Sequence, residues 1–296
     1  MNFLRTTLLF WRTYLPRVLF TKRMAIVVFG CALPALLTWM MLTLPNHAPE
    51  PMRAFMLSGY VLVLQLLVPL ASVIVGSAVI SEEIDDRTIT YLFTRPIPRA
   101  TLLLGRWLAS ATVLVACVGF AVVALGFVVE AKAQGWKQGE PIVHEWTTRK
   151  GEHRTHTRTH DVDDVLVKAM EGGKLPDGAL ATLLVAAIAG TAAYSALFAA
   201  LGTMNKHPMI VGLGYSFAIE GFLANLPGTS QSLTIQYYLR SYLLSSQTDH
   251  WTRLEIVNLE IHETATEAMG TLGVVLVLAL AIGSIVISRR QYVLSA

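Results

Sequence analysis

Four histidines, His144, His153, His156 and His160, are the densest set of metal-capable side chains in the chain. A metal centre needs ligands that converge. PIVHEWTT and HRTHTRTH flank RKGE, and the second arm alternates Arg154, His156, Arg158 and His160 with threonines, which predicts a β-hairpin. His156 and His160 then share a strand face with Arg158 between them, and Arg154 and Arg158 repel a divalent cation, so no metal is expected. HETAT at 262–266 lacks the second histidine of a zinc-protease HExxH and is expected to be loop. No GxxxxGK[ST] phosphate loop occurs, so any ATP hydrolysis must come from another chain. Glu220 is the one carboxylate well inside an apolar run. An acid in lipid is costly and marks a transport path or a paired role, unless it sits near the outer end of its helix and reaches interfacial water.

The elements that position these residues belong to a membrane. Of 296 residues 54% are hydrophobic and 15% charged, against about 25% charged in a soluble domain. The net charge of +3 is too small to point to nucleic acid and is better explained as loop charge that sets orientation. The two cysteines, Cys31 and Cys117, lie in apolar runs and define no disulfide framework.

Apolar runs of about 18 residues or more cross about 30 Å of hydrocarbon as helices. Six are expected: Met24–Leu44, Phe55–Ile80, Thr101–Val129, Ala179–Met204, Met209–Leu226 and Met269–Ser288. A tight turn, Asn205–Pro208, joins the fourth and fifth. Before them, residues 1–23 place Leu4, Leu8, Trp11, Leu15 and Leu19 at helical spacing with Arg5, Arg12 and Arg17 elsewhere, an amphipathic helix for the membrane interface. Within the second span, Gln65 is expected to hydrogen-bond between helices. Basic residues in the N-terminal segment, with Arg289 and Arg290 after the last span, put both termini in the cytoplasm. The loop 130–178, with eight basic and nine acidic residues, is then outside. So is the insertion 227–268, whose SLTIQYYLRSYLLSS predicts a helix at or dipping into the outer leaflet.

Between the second and third spans stands SEEIDDRTITYLFTRPIPRA, residues 81–100. Its acids, Glu82, Glu83, Asp85 and Asp86, suit the positive end of a helix dipole, and Pro96 and Pro98 end the helix. Arg95 and Arg99 then lie close to anionic headgroups. A solvated loop explains the charge but not Tyr91, Leu92 and Phe93 in water, so a docking surface is expected here. SEEIDDRTITYLFTRPIPRATLLLGRWLA resembles the cytoplasmic signature of type-2 ABC exporter permeases. Glu82, Glu83, Thr88, Leu92, Thr94, Arg95, Pro96 and Arg99 match; Arg87 stands where the family often has Gly, and Arg106 near where it often has Lys.

The resemblance implies an all-α membrane protein with six transmembrane helices, an N-terminal interfacial helix (1–23), spans one to three with the coupling segment (24–129), and spans four to six with a short outer helical insertion (179–296); the outer hairpin and helix loop (130–178) is expected from its own residue pattern and has no counterpart in that resemblance. It implies a homodimeric exporter permease of the inner membrane, paired with a cytoplasmic ABC ATPase that binds ATP and Mg while this chain binds no cofactor. The ATPase contacts it implies are Glu82, Glu83, Asp86, Thr88, Tyr91, Leu92, Arg95 and Pro96, with Glu220 as a possible residue of the transport path. The rival expectations are a polytopic membrane enzyme, or a membrane anchor, working through the histidine-rich outer loop.

Overall fold

The computed structural model describes residues 3–44, 49–79, 98–134, 142–147, 153–158, 173–205, 207–223, 229–246 and 263–289, the two short stretches 142–147 and 153–158 by backbone alone. Helix α1 (Phe3–Leu19) is followed at once by α2 (Lys22–Thr43). Thr21 separates them: its backbone is extended, and its hydroxyl accepts the Met24 amide at 3.3 Å as the N-cap of α2. Helix α3 (Pro51–Gly76) carries proline in its first turn, where the missing N–H costs nothing. Helix α4 (Arg99–Ala133) starts after Pro98 and has 35 residues, about 52 Å at 1.5 Å per residue, longer than the hydrocarbon is thick. Strands β1 (Ile142–Thr147) and β2 (His153–Arg158) pair antiparallel, with His144 opposite His156. Helix α5 (Ala179–Met204) begins at Gly178, whose φ of +89° favours glycine.

Helix α6 (Pro208–Gly214) runs on into π-helical turns, Tyr215–Phe222. A 3₁₀ turn (Thr229–Leu233) leads into α7 (Ile235–Ser245), and α8 (Ala265–Arg289) closes the described chain. Among the described residues five helices, α2, α3, α4, α5 and α8, are long and apolar enough to cross a membrane. The expected span Met209–Leu226 is not among them. As described it has seven α-helical and eight π-helical residues, at most about 23 Å of rise. The apolar run is there in the sequence, but its helix stops short of the far side among the described residues.

α4 is central and packs against α1, α2, α3, α5 and α8. The main core gathers α3, α4, α5 and α7 around Tyr194 and Phe198, whose rings stack at 6.0 Å. Backbones approach closely where α3 crosses α5: a Cβ on Gly76 would lie 3.0 Å from Ser195 O, and one on Gly202 would lie 2.9 Å from Ser77 O.

α1 lies against α4 through Thr7, Phe10 and Tyr14, while Leu4, Leu8 and Leu19 face outward. The leucine stripe expected to be its apolar face is therefore mostly turned away from the protein. Its protein-facing side is the neighbouring one, and the two together leave Arg5, Arg12 and Arg17 exposed.

Candidate functional site: the buried first turn of helix α7

The expected ATPase contacts, Glu82, Glu83, Asp86, Thr88, Tyr91, Leu92, Arg95 and Pro96, lie in residues 80–97, outside the described residues. The structure does show how the chain is held at Val79, just before that segment. Arg106 Nη1 donates to Val79 O at 3.3 Å, and the Arg106 guanidinium stacks over the Tyr14 ring at 4.2 Å. One side chain of α4 thus holds the end of α3 and the N-terminal helix together. Arg106 is one of the two departures from the family pattern, and a planar, always-charged fork can make the stack and the bond at once.

Glu220 is brought to a site that the sequence reading did not foresee. It is 2% exposed, so the alternative of a carboxylate reaching interfacial water does not hold. Tyr215 Oη donates to its Oε1 at 3.0 Å. The amides of Ile235 and Gln236 donate to Oε1 and Oε2, each at 3.0 Å. These are the first two amides of α7, which have no partner within the helix, and the helix dipole there favours an anion. The third, Tyr237 N, donates to the hydroxyl of the N-cap Thr234 at 3.2 Å. The fully buried Tyr194 lies beside Glu220 and Gln236.

A second attachment follows from a proline. Residues Ser58–Leu67 of α3 are π-helical, and Val68 N donates to Val63 O, five residues back. The next donor in that register would be residue 69, which is Pro69 and has no N–H. Leu64 O therefore loses its ladder partner, and Gln236 Nε2 donates to it at 2.7 Å. The interhelical bond anticipated for Gln65 is made by the carbonyl of its neighbour.

The rest of α7 is largely buried. Leu239 reaches Gly190 of α5, where a Cβ would lie 2.9 Å from its Cδ1. Arg240 is 2% exposed and its Nη2 donates to Gln231 Oε1 at 2.7 Å. The helix expected at or dipping into the leaflet is packed among the spans, against α5, α8 and the π-helical part of α3.

Among the described residues no three His, Cys, Asp or Glu gather as metal ligands. Part of HETAT is not loop: Thr264 precedes α8, its amide and hydroxyl donate to Glu267 Oε2 at 2.9 and 2.8 Å, and its hydroxyl accepts the Glu267 amide at 3.4 Å. This is a capping box, legible in the spacing Thr264-x-x-Glu267. Thr234 ahead of an apolar run is a similar signal for the start of α7.

No curated protein matches the chain. Residues 21–144 match the family model described as ABC-2 family transporter protein, a stretch that includes α2, α3, the segment 80–97 and α4. With five helices among the described residues long and apolar enough to cross a membrane, the chain is a multi-pass membrane protein, and over residues 21–144 it is similar to the ABC-2 family of transporter membrane proteins.

Proposed function

We propose that the chain is the permease subunit of an ABC exporter, two copies of which work with separate cytoplasmic ATPase subunits that bind ATP and Mg. The observation that carries this reading is the family match over 21–144, which contains the charged segment between α3 and α4. Glu82, Glu83, Asp86, Thr88, Tyr91, Leu92, Arg95 and Pro96 are its ATPase-coupling residues. Closure of the ATPases on nucleotide pushes this segment, and rigid movement of the spans opens a path at the interface between copies. The length of α4 supports that transmission, since a continuous helix of 35 residues carries displacement across the whole membrane. So does Arg106, which fixes the chain at Val79 to α4 on one side of the segment. Both termini and the coupling segment lie in the cytoplasm of an inner-membrane protein, with the hairpin of β1 and β2 outside. Glu220 stands in this reading as an acid beside the path, bonded to the first turn of α7.

Affinity purification of the full chain from its native membrane tests the proposal. A separate ATPase subunit is expected to co-purify and to be lost when Tyr91 and Leu92 are both changed to Asp. Isolation of a single-subunit enzyme with its own activity, or retention of the ATPase by the double variant, would overturn it.

A further inference from the structure

α7 is attached at its first turn to two different elements, and both attachments involve π-helical segments. From the short helix, Glu220 in Tyr215–Phe222 binds the amides of Ile235 and Gln236. On α3, Leu64 in Ser58–Leu67 binds the Gln236 side chain through the carbonyl that Pro69 leaves without a ladder partner. Leu64 is near the middle of Pro51–Gly76, and Gly190, which Leu239 touches, is near the middle of Ala179–Met204. The first turn of α7 therefore sits about halfway along α3, with the next turn beside the middle of α5.

We infer that Glu220 and Gln236 form a two-point latch that holds α7 inserted among the spans, with Glu220 as its positioning residue rather than a ligand for cargo. Each point is a hydrogen bond between a side chain and main chain, and each can break without unfolding a span. If both break, the first-turn amides of α7 and the carbonyl of Leu64 lose their partners together, so helix and socket release as a unit. π-turns are rare and gather at functional sites, and the latch is seated on two of them. That α7 acts as a gate across the transport path rests on the reading above; the latch itself does not.

The test is amide hydrogen exchange on the full chain in lipid nanodiscs, comparing 235–245 with 99–133 as an internal reference. Hydrogen bonds to a charged group are individually strong, so Glu220→Ala is expected to speed exchange in 235–245 by on the order of tenfold or more, with the reference unchanged. Glu220→Gln keeps one acceptor oxygen and should give a smaller acceleration. Gln236→Leu removes the second point and, should Glu220→Ala fail to fold, still decides the matter: an acceleration of several-fold in 235–245 is expected. Unchanged exchange in 235–245 for either Glu220→Ala or Gln236→Leu overturns the latch. So does equal acceleration in 99–133, or a Glu220→Gln variant as fast as Glu220→Ala. Failure to recover an ATPase would overturn the transport reading and leave this outcome unaffected.

Discussion

At Gly105 helix α1 comes close against α4, and changing it to alanine has a cost that the geometry sets. A Cβ there would lie 2.5 Å from Phe10 Cβ, 2.8 Å from Thr7 O and 3.4 Å from Trp11 N. Two of these are main-chain atoms and the third is fixed to the main chain, so no side-chain rotation relieves the overlap. Carbon atoms rest about 3.5 to 4.0 Å apart, so α1 must back away from α4 by roughly 1 Å. That retreat also strains the Trp11 Nε1 bond to Thr112 Oγ1, already 3.4 Å, and the stack of Arg106 on Tyr14. Overpacking of this kind costs about 1 to 3 kcal/mol. Alanine also gains about 1 kcal/mol of helix propensity over glycine, which must be separated from the clash. Gly119, on the same helix, supplies the control: its Cβ would meet only Leu184 Cδ1, at an ordinary 3.6 Å. Both substitutions share the propensity gain, so Gly105→Ala should be less stable than Gly119→Ala by about 1 to 3 kcal/mol. Reversible unfolding in mixed micelles of graded SDS content measures that difference. Equal stability of the two variants would refute the argument, because α1 would then not be held at this distance by α4.

The same reasoning separates two glycines of α5. A Cβ on Gly202 meets the Ser77 carbonyl oxygen at 2.9 Å, whereas one on Gly190 meets the tips of Leu239 and Val68, which can rotate away. In the same micelle assay Gly202→Ala should lose about 1 to 3 kcal/mol and Gly190→Ala less. Thr264→Ala removes the N-cap of α8 and should cost about 1 kcal/mol locally, read as faster amide exchange confined to the first turn of that helix.

Much of the architecture was legible along the chain. The first, second, third, fourth and last spans appear within a few residues of where hydropathy placed them, and Ala179–Met204 appears at the expected limits. Gains at the ends have local causes that a hydropathy scan passes over: Thr21 and Pro51 start α2 and α3 ahead of their apolar runs, and the capping box starts α8 at Ala265. The span predicted from Met209 shows the limit of the method. Apolar length sets how far a helix is able to reach, but it does not show that Glu220 within this one bonds the start of another helix.

What the sequence determined by itself is the membrane character, the position of the long helices, and the presence of a charged segment between the second and third of them, because each depends on composition and periodicity among neighbours in the chain. It also contains the cause of the orphaned carbonyl, since Pro69 lacks its N–H in any fold. Only the tertiary structure decided what answers these local facts. Leu64 O is met by a side chain 172 residues away, and the Glu220 carboxylate accepts from amides 15 and 16 residues ahead. A sequence shows that a buried carboxylate or carbonyl needs a partner, because leaving it unbonded is costly. Which partner it finds depends on how the helices pack, and no local pattern encodes that.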